Sequence, residues 1–248
     1  MKDNCDSCTT STPLGKKLLS FYTQREKYHI EWSMIKYSLI SILLLITIAE
    51  ILAFTLWKTN TTYLTHFPWV IYLIITISIV LGAVNHIHAH NHTKTTIPSM
   101  TGMMIGMILG MQSGVMLSVI IGSTNGMFMG SLFGVLFGVA IGVYASHRCG
   151  LMGILNGAIM GTMGGTMGPM IALMMKIDHI LWFMPLFTLL NVLIIWGLNF
   201  LVYEELVETK KVERTNIKFI PFFLLSLLFT TFFTLIIIYG YTSAFVAL

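Results

Sequence analysis

The chain has 248 residues, of which 56% are hydrophobic and 10% are charged, and its formal net charge is +4. A composition this apolar excludes an ordinary water-soluble domain and is typical of a protein with several membrane-spanning helices. The small excess of positive charge belongs to the segments predicted to face the cytoplasm, so it gives no indication of nucleic-acid binding.

A helix needs about 20 mainly apolar residues to cross a bilayer. The sequence therefore predicts an all-α, polytopic membrane bundle with seven transmembrane helices, at 34–57, 67–87, 98–121, 126–146, 150–175, 180–203 and 218–246. Lysine and arginine concentrate before the first span and in every second loop after it, which predicts that the N-terminus lies inside and the C-terminus outside. Residues 34–248 then form one transmembrane domain behind a cytoplasmic tail, residues 1–33.

The tail contains two features. Between Leu14 and Tyr37 aromatic and aliphatic residues alternate with charged ones, which predicts an amphipathic helix lying on the inner membrane surface. Cys5 and Cys8 form a CxxC pair, whose spacing lets two thiolates hold one soft metal ion. The alternative is that these two cysteines are a chance pair without a ligand.

Glu50 is an acidic residue well inside the first predicted span. A carboxylate at the centre of a bilayer costs about 2.5–3.5 kcal/mol on insertion scales, so such a residue usually faces the bundle interior. One interpretation places Glu50 in an ion pathway, where it couples protons or attracts cations. The other is that its side chain reaches the outer interface, near Trp57.

Histidines alternate at the inner end of the second predicted span, at His86, His88, His90 and His92. Imidazole suits copper, zinc and nickel ions, so this run is a candidate metal site. In an extended chain all four side chains project to one side, whereas in a helix only His86 and His90 share a face. His147 and Cys149 lie in another inner loop, and for these two a structural role is favoured over metal binding.

Glycine recurs at about every fourth position of the three central spans. In lipid, small residues at this spacing let two helix backbones approach closely, which predicts glycine-zipper packing of these helices. The candidate packing residues are Gly102, Gly106, Gly110, Gly126, Gly130, Gly134, Gly138, Gly157, Gly161 and Gly165. A turn is predicted at residues 123–125, and surplus glycine faces predict self-association or the docking of other membrane subunits.

Fifteen of the 18 methionines lie between Met100 and Met175. On a helical wheel one arc of the third span carries Met100, Met103, Met104, Met107 and Met111, and one arc of the fifth carries Met160, Met163, Met167, Met170 and Met174, with Asn156 on the same side. Thioether sulfur selects Cu(I) and similar soft ions, and neutral ligands avoid placing charge in lipid. The pattern predicts two facing stripes that form a metal path. The alternative is that flexible methionine fills gaps beside the glycines.

The motifs of common enzymes are missing from the sequence. It contains no HExxH, no GxSxG and no P-loop, and the glycine series lies within apolar helix without the lysine that a phosphate loop requires. We therefore expect this protein not to be an enzyme.

The stretch from Thr101 to Met175, with Thr-Gly-Met-Met-Ile-Gly-Met and Gly-Gly-Thr-Met-Gly-Pro-Met, resembles Gly/Met-rich transmembrane modules of bacterial membrane proteins linked to copper and other heavy metals. The resemblance covers about a third of the chain. Some proteins with such modules also carry a cupredoxin-like domain, which this chain lacks. The resemblance implies a protein of the bacterial inner (plasma) membrane that handles copper or another soft metal.

Three functions remain open from the sequence. The first is transport or delivery of a soft metal ion, with Cu(I) favoured, from the inner cysteines and histidines to the methionine stripes. The second is a non-catalytic scaffold or assembly factor whose glycine faces dock partner subunits. The third is an ion channel or a proton-coupled transporter for another substrate that uses Glu50. Apart from a possible metal ion, no cofactor is expected, and the predicted partners are the lipid bilayer and further copies or other membrane subunits.

Overall fold

The computed structural model describes residues 29–56, 61–90, 99–176, 180–203 and 219–240. These residues form seven α-helices, numbered in chain order: α1 His29–Leu56, α2 Thr61–His90, α3 Ser99–Asn125, α4 Met127–Ser146, α5 Leu151–Lys176, α6 Ile180–Tyr203 and α7 Phe219–Tyr239. A short 3-10 turn, His147–Cys149, joins α4 to α5. The prediction of an all-α, polytopic membrane bundle is confirmed.

Six of these helices are long and apolar enough to cross a membrane, namely α2 to α7. They overlap the second to the seventh predicted spans, although α3 continues to Asn125 and residues 241–246 of the seventh predicted span lie outside the described part of the chain. The first predicted span, 34–57, overlaps α1, and its last residue lies outside the described part of the chain. α1 begins at His29 and is continuous across the predicted boundary between residues 33 and 34. Cys5, Cys8 and most of the predicted interfacial helix also lie outside the described residues.

The predicted turn at residues 123–125 is wrong. These residues form the last turn of α3, which ends at Asn125. The hydroxyl groups of Ser123 and Thr124 donate back to the carbonyl of Ile120, at 2.8 and 3.2 Å. The connection to α4 is the single residue Gly126, whose φ of 105° is accessible to glycine at little cost. Gly126, predicted as a helix-packing residue, is thus the link that makes α3 and α4 antiparallel neighbours.

α3 lies at the centre of the bundle. Its membrane-spanning window is 72% buried, compared with 33% for α4 and α5 and 28% for α6 and α7. It packs against α2, α4, α5, α6 and α7, whereas α1 lies outside this group and packs on α2 and α7. The arrangement leaves one side each of α4, α5, α6 and α7 facing outward.

Two polar contacts attach α7 to the other helices. The side-chain amide of Asn125 donates to the carbonyl of Ile236 at 3.1 Å, and the hydroxyl groups of Ser41 and Ser226 lie 3.3 Å apart. Interhelical hydrogen bonds of this kind contribute about 0.6 kcal/mol each on average in membrane bundles. These two contacts help to position α7. The rest of its contact with the other helices is made by aromatic and aliphatic side chains.

Candidate functional site

α3 and α4 touch backbone to backbone through glycine. A Cβ atom built on Gly138 would lie 2.9 Å from the Cα of Gly114, and one built on Gly142 would lie 2.9 Å from the Cα of Gly110. Real Cβ atoms essentially never approach other heavy atoms this closely. Only glycine therefore permits this helix pair.

α5 completes the contact from the other side. A Cβ atom on Gly157 would lie 2.6 Å from the backbone of Gly142, and one on Gly161 would lie 2.5 Å from that of Gly138. Towards α3, a Cβ atom on Gly106 would lie 2.6 Å from the carbonyl oxygen of Gly153. The three central helices thus meet along glycine, and these faces are occupied by the chain's own helices.

The other predicted packing glycines lie in the same three-helix contact. Gly102 lies against Cys149, Gly134 against Ser118, and Gly165 against the backbone of Val135. Gly130 packs against Gly122 and the ring of Pro169, where α5 crosses the connection between α3 and α4. A partner helix would need a different surface of this chain for docking.

The methionines of α5 lie on its outward side. Met160, Met163, Met167, Met170 and Met174 follow one another at intervals of three and four residues. Four of them, from Met163 onward, are exposed to between 44% and 63%, and Met160 is half-buried. Since the neighbouring arc of the helix carries the glycines that contact α3 and α4, the methionine arc is turned away from the bundle.

The methionines of α3 are divided between the surface and the core. Met100 and Met104 are exposed, Met107 is half-buried, and Met111 packs against the central core. The carbonyl group of Met111 lies against Gly164 of α5. The contact between α3 and α5 is therefore made by glycine backbone, and the expectation of two methionine stripes facing each other is not met within one chain.

The two residues predicted to line an ion pathway lie outside the glycine core. Glu50 is exposed on α1, so its carboxylate does not lie inside the bundle. The side-chain amide of Asn156 donates to the carbonyl of Met152 at 3.2 Å, one turn earlier in α5. One of the N–H donors of Asn156 is thus used within its own helix.

The histidines near the C-terminal end of α2 lie on a helix, as in the second of the two predicted arrangements. Because α2 continues to His90, its histidines do not project to one side of an extended chain. His86 is 2% exposed. His88 stacks on Tyr144, with 4.6 Å between ring centroids, and its ring lies 5.6 Å from that of His147. The side chain of His90 and residue His92 lie outside the described residues.

Tyr144 connects the C-terminal ends of α2 and α4 through its stack on His88. Its ring also stacks on that of His147, at 5.8 Å, while the His147 Nδ1 atom lies 2.7 Å from the Tyr144 carbonyl oxygen. Tyr144 is not among the site residues predicted from the sequence. The sequence feature that points to it is its position three residues before His147, because side chains at this spacing lie on the same side of a helix.

Cys149 is a poor candidate for a metal ligand. Its side chain is buried against Gly102, and this burial raises the pKa of the thiol. Since the thiolate is the form that binds metals, little ligand is present at neutral pH. Among the described residues, no group of three or more histidine, cysteine, aspartate or glutamate side chains is placed to hold a metal ion. Among the described residues, His88 and His147 therefore supply at most two of the ligands that a bound metal ion needs.

No family model, curated protein or solved structure matches this chain.

Proposed function

We propose that this chain is a multi-pass protein of a bacterial plasma membrane that binds a soft metal ion, with Cu(I) as the favoured ion, and transports or delivers it. The observation that carries the proposal is the methionine face of α5, defined as Met160, Met163, Met167, Met170 and Met174. It provides a continuous row of thioethers, most of them accessible.

Helix geometry lets these side chains act together. Residues three and four positions apart have Cβ atoms about 5–6 Å from one another, so long, flexible methionine side chains from successive turns reach a common ion. Thioethers select Cu(I) over Zn(II) and the hard cations. As neutral ligands they add no charge at membrane depth, where each ionised group is costly.

The proposal includes a second copy of the chain. An ion on the methionine face of one copy would be exposed to lipid, whereas two such faces packed together would enclose it between sulfur atoms. Alternating intervals of three and four residues form the seam by which helices pair in coiled coils. The glycine faces are already occupied within the chain, so the methionine face of α5 is the surface that we assign to self-association.

The alternatives have less support from the described residues. A scaffold that docks partners through the predicted glycines would have to compete with the chain's own helices for them. A pathway based on Glu50 would require a carboxylate inside the bundle, and this side chain is exposed.

The proposal is tested by the metal content of the purified full chain under reducing conditions, with Cu(I), Ag(I) and Zn(II) supplied together. We expect stoichiometric Cu(I) or Ag(I), because both ions prefer thioether ligands. Zn(II) that is lost in His88→Ala and His147→Ala would contradict the proposal and place the chemistry at the inner histidines. No bound metal at micromolar supply would also contradict it.

Self-association is tested by disulfide cross-linking in membranes. In a background with Cys5, Cys8 and Cys149 replaced by serine, we expect Met167→Cys to form a cross-linked dimer, because the seam places this position opposite its counterpart. Thr162→Cys is the matched control, since this residue is also exposed on α5 but lies on another side of the helix. Equal cross-linking of both variants would contradict pairing through the methionine face.

A further inference from the structure

Asn156 extends the methionine face of α5 by one step towards the start of the helix. From Asn156 to Met174 the side chains of this row follow at intervals of four, three, four, three and four residues, so the asparagine occupies a position of the same seam. Around it on the helix surface lie Met152, Leu155 and Ile159, which are exposed to between 50% and 65%. Asn156 is therefore a polar side chain within an outward-facing, apolar surface.

The amide of Asn156 has hydrogen-bonding groups that its own helix does not use. An asparagine side chain carries two N–H groups and one carbonyl oxygen, Oδ1. One N–H group donates to the carbonyl of Met152, in an exposed position. Neither the second N–H group nor Oδ1 has a partner among the described residues. The side chain is half-buried and its Oδ1 atom is not enclosed by the bundle, so both groups can be reached from outside.

Other polar side chains of the central helices do not have this requirement. On α5 the hydroxyl groups of Thr162 and Thr166 donate to carbonyl groups of their own helix, at 2.6 and 3.0 Å. On α3 the amide of Asn125 uses both of its ends, because it donates to Ile236 and accepts from Thr124. Lipid tails offer no hydrogen-bond partner, so unused amide groups on an apolar surface favour a contact that supplies one.

A second copy of the chain supplies this contact by symmetry. Copies that cross the membrane in the same direction and pair about a two-fold axis through the methionine face of α5 place their α5 helices parallel, with each seam position opposite itself. The unused N–H group of one Asn156 then faces the unused Oδ1 atom of the other, and the reverse, which gives two reciprocal hydrogen bonds. A single asparagine at a seam position specifies the oligomeric state of coiled coils in this way.

We propose that Asn156 pairs with the same residue of a second copy and joins the two methionine faces at the N-terminal end of α5. This inference rests on the self-association proposed above, and it adds the residue that makes the pairing selective for a second copy. The pair forms without a metal ion, because the two amides bond to each other and leave the thioethers of the methionine face free.

The test is the dimer dissociation constant of the purified full chain, measured by sedimentation equilibrium in density-matched detergent, with and without Cu(I). Asn156→Leu removes the amide at similar volume, and we expect it to weaken the dimer about fivefold to twentyfold, as for the loss of two hydrogen bonds between membrane helices. Asn156→Gln keeps an amide and is expected to recover part of this loss. Thr162→Val is the matched control, because the hydroxyl that it removes is already bonded within α5, and we expect an unchanged constant.

Cross-linking separates this inference from the self-association on which it rests. In the background without the native cysteines, we expect Asn156→Cys to form a disulfide-linked dimer, as Met167→Cys does, whereas Thr162→Cys does not. If Met167→Cys cross-links but Asn156→Leu leaves the dissociation constant unchanged, the asparagine pair is wrong and pairing through the methionine face stands. If neither Met167→Cys nor Asn156→Cys cross-links, the self-association is wrong and the asparagine pair with it.

Discussion

Replacing Gly161 by leucine is expected to prevent assembly of the central bundle. A Cβ atom at this position would lie 2.5 Å from the backbone of Gly138 and of Val139. Backbone atoms cannot move aside as the end of a flexible side chain can, so the α4–α5 contact must open. Overpacking a core commonly costs about 1–3 kcal/mol, and we expect a loss above this range because the obstacle is helix backbone. The measurement is the yield and melting temperature of monodisperse protein in detergent.

Gly197→Leu is the matched control for this substitution. Gly197 lies in α6, another long apolar helix, and a Cβ atom there meets no heavy atom within 4 Å. This variant has the same change in size and in helix propensity, so we expect its melting temperature to stay close to that of the unmodified protein. If Gly161→Leu were as stable as Gly197→Leu, the close contact of α4 and α5 would be wrong.

The double substitution Met163→Leu and Met167→Leu is expected to lower the Cu(I) stoichiometry and to weaken the binding that remains at least tenfold. Leucine has a similar volume, so such an exchange usually costs less than about 1.5 kcal/mol even in a core. Both side chains are about 45% exposed, which reduces that cost further. The fold is thus expected to persist while two adjacent thioethers are lost. Competition titration of Cu(I) against a chelator of known affinity measures the change.

Met127→Leu with Met129→Leu is the corresponding control on α4. It also removes two neighbouring methionines, one exposed and one half-buried, but outside the methionine face of α5. We expect Cu(I) binding to be unchanged in this variant. Equal losses of Cu(I) binding in both double variants would mean that methionine binds copper without regard to position. No loss of Cu(I) binding in either variant would mean that methionine sulfur is not a ligand of the ion.

The helices and their contact faces are largely predictable from the sequence, because both depend on local patterns. Length and hydropathy locate the spans, since the bilayer requires about 20 apolar residues in each. Glycine at every fourth position marks the faces that touch, as Gly110, Gly138 and Gly161 do. The turn at residues 123–125 is mispredicted because α3 continues to Asn125 and the chain reverses at Gly126 alone, whose positive φ glycine adopts at little cost.

Local sequence patterns do not predict which way each helix face is turned relative to the neighbouring helices. A helical wheel groups Met163 with Met167, but it gives no angle relative to α3 or α4. The expectation of facing stripes fails because the adjoining glycines take the inward position on α5. Likewise, the stack of His88 on Tyr144 combines residues from helices distant in the chain. Such combinations depend on tertiary contacts that a single sequence does not encode locally.

The central claim, that thioethers of α5 hold the metal ion, is tested most directly by X-ray absorption at the copper edge of the Cu(I)-loaded full chain. We expect the ligands of copper to be sulfur atoms alone, and we expect this signal to be lost when the five methionines of the α5 face are replaced by leucine. Nitrogen ligands with the scattering pattern of imidazole would contradict it and would place the ion at His88 and His147 instead.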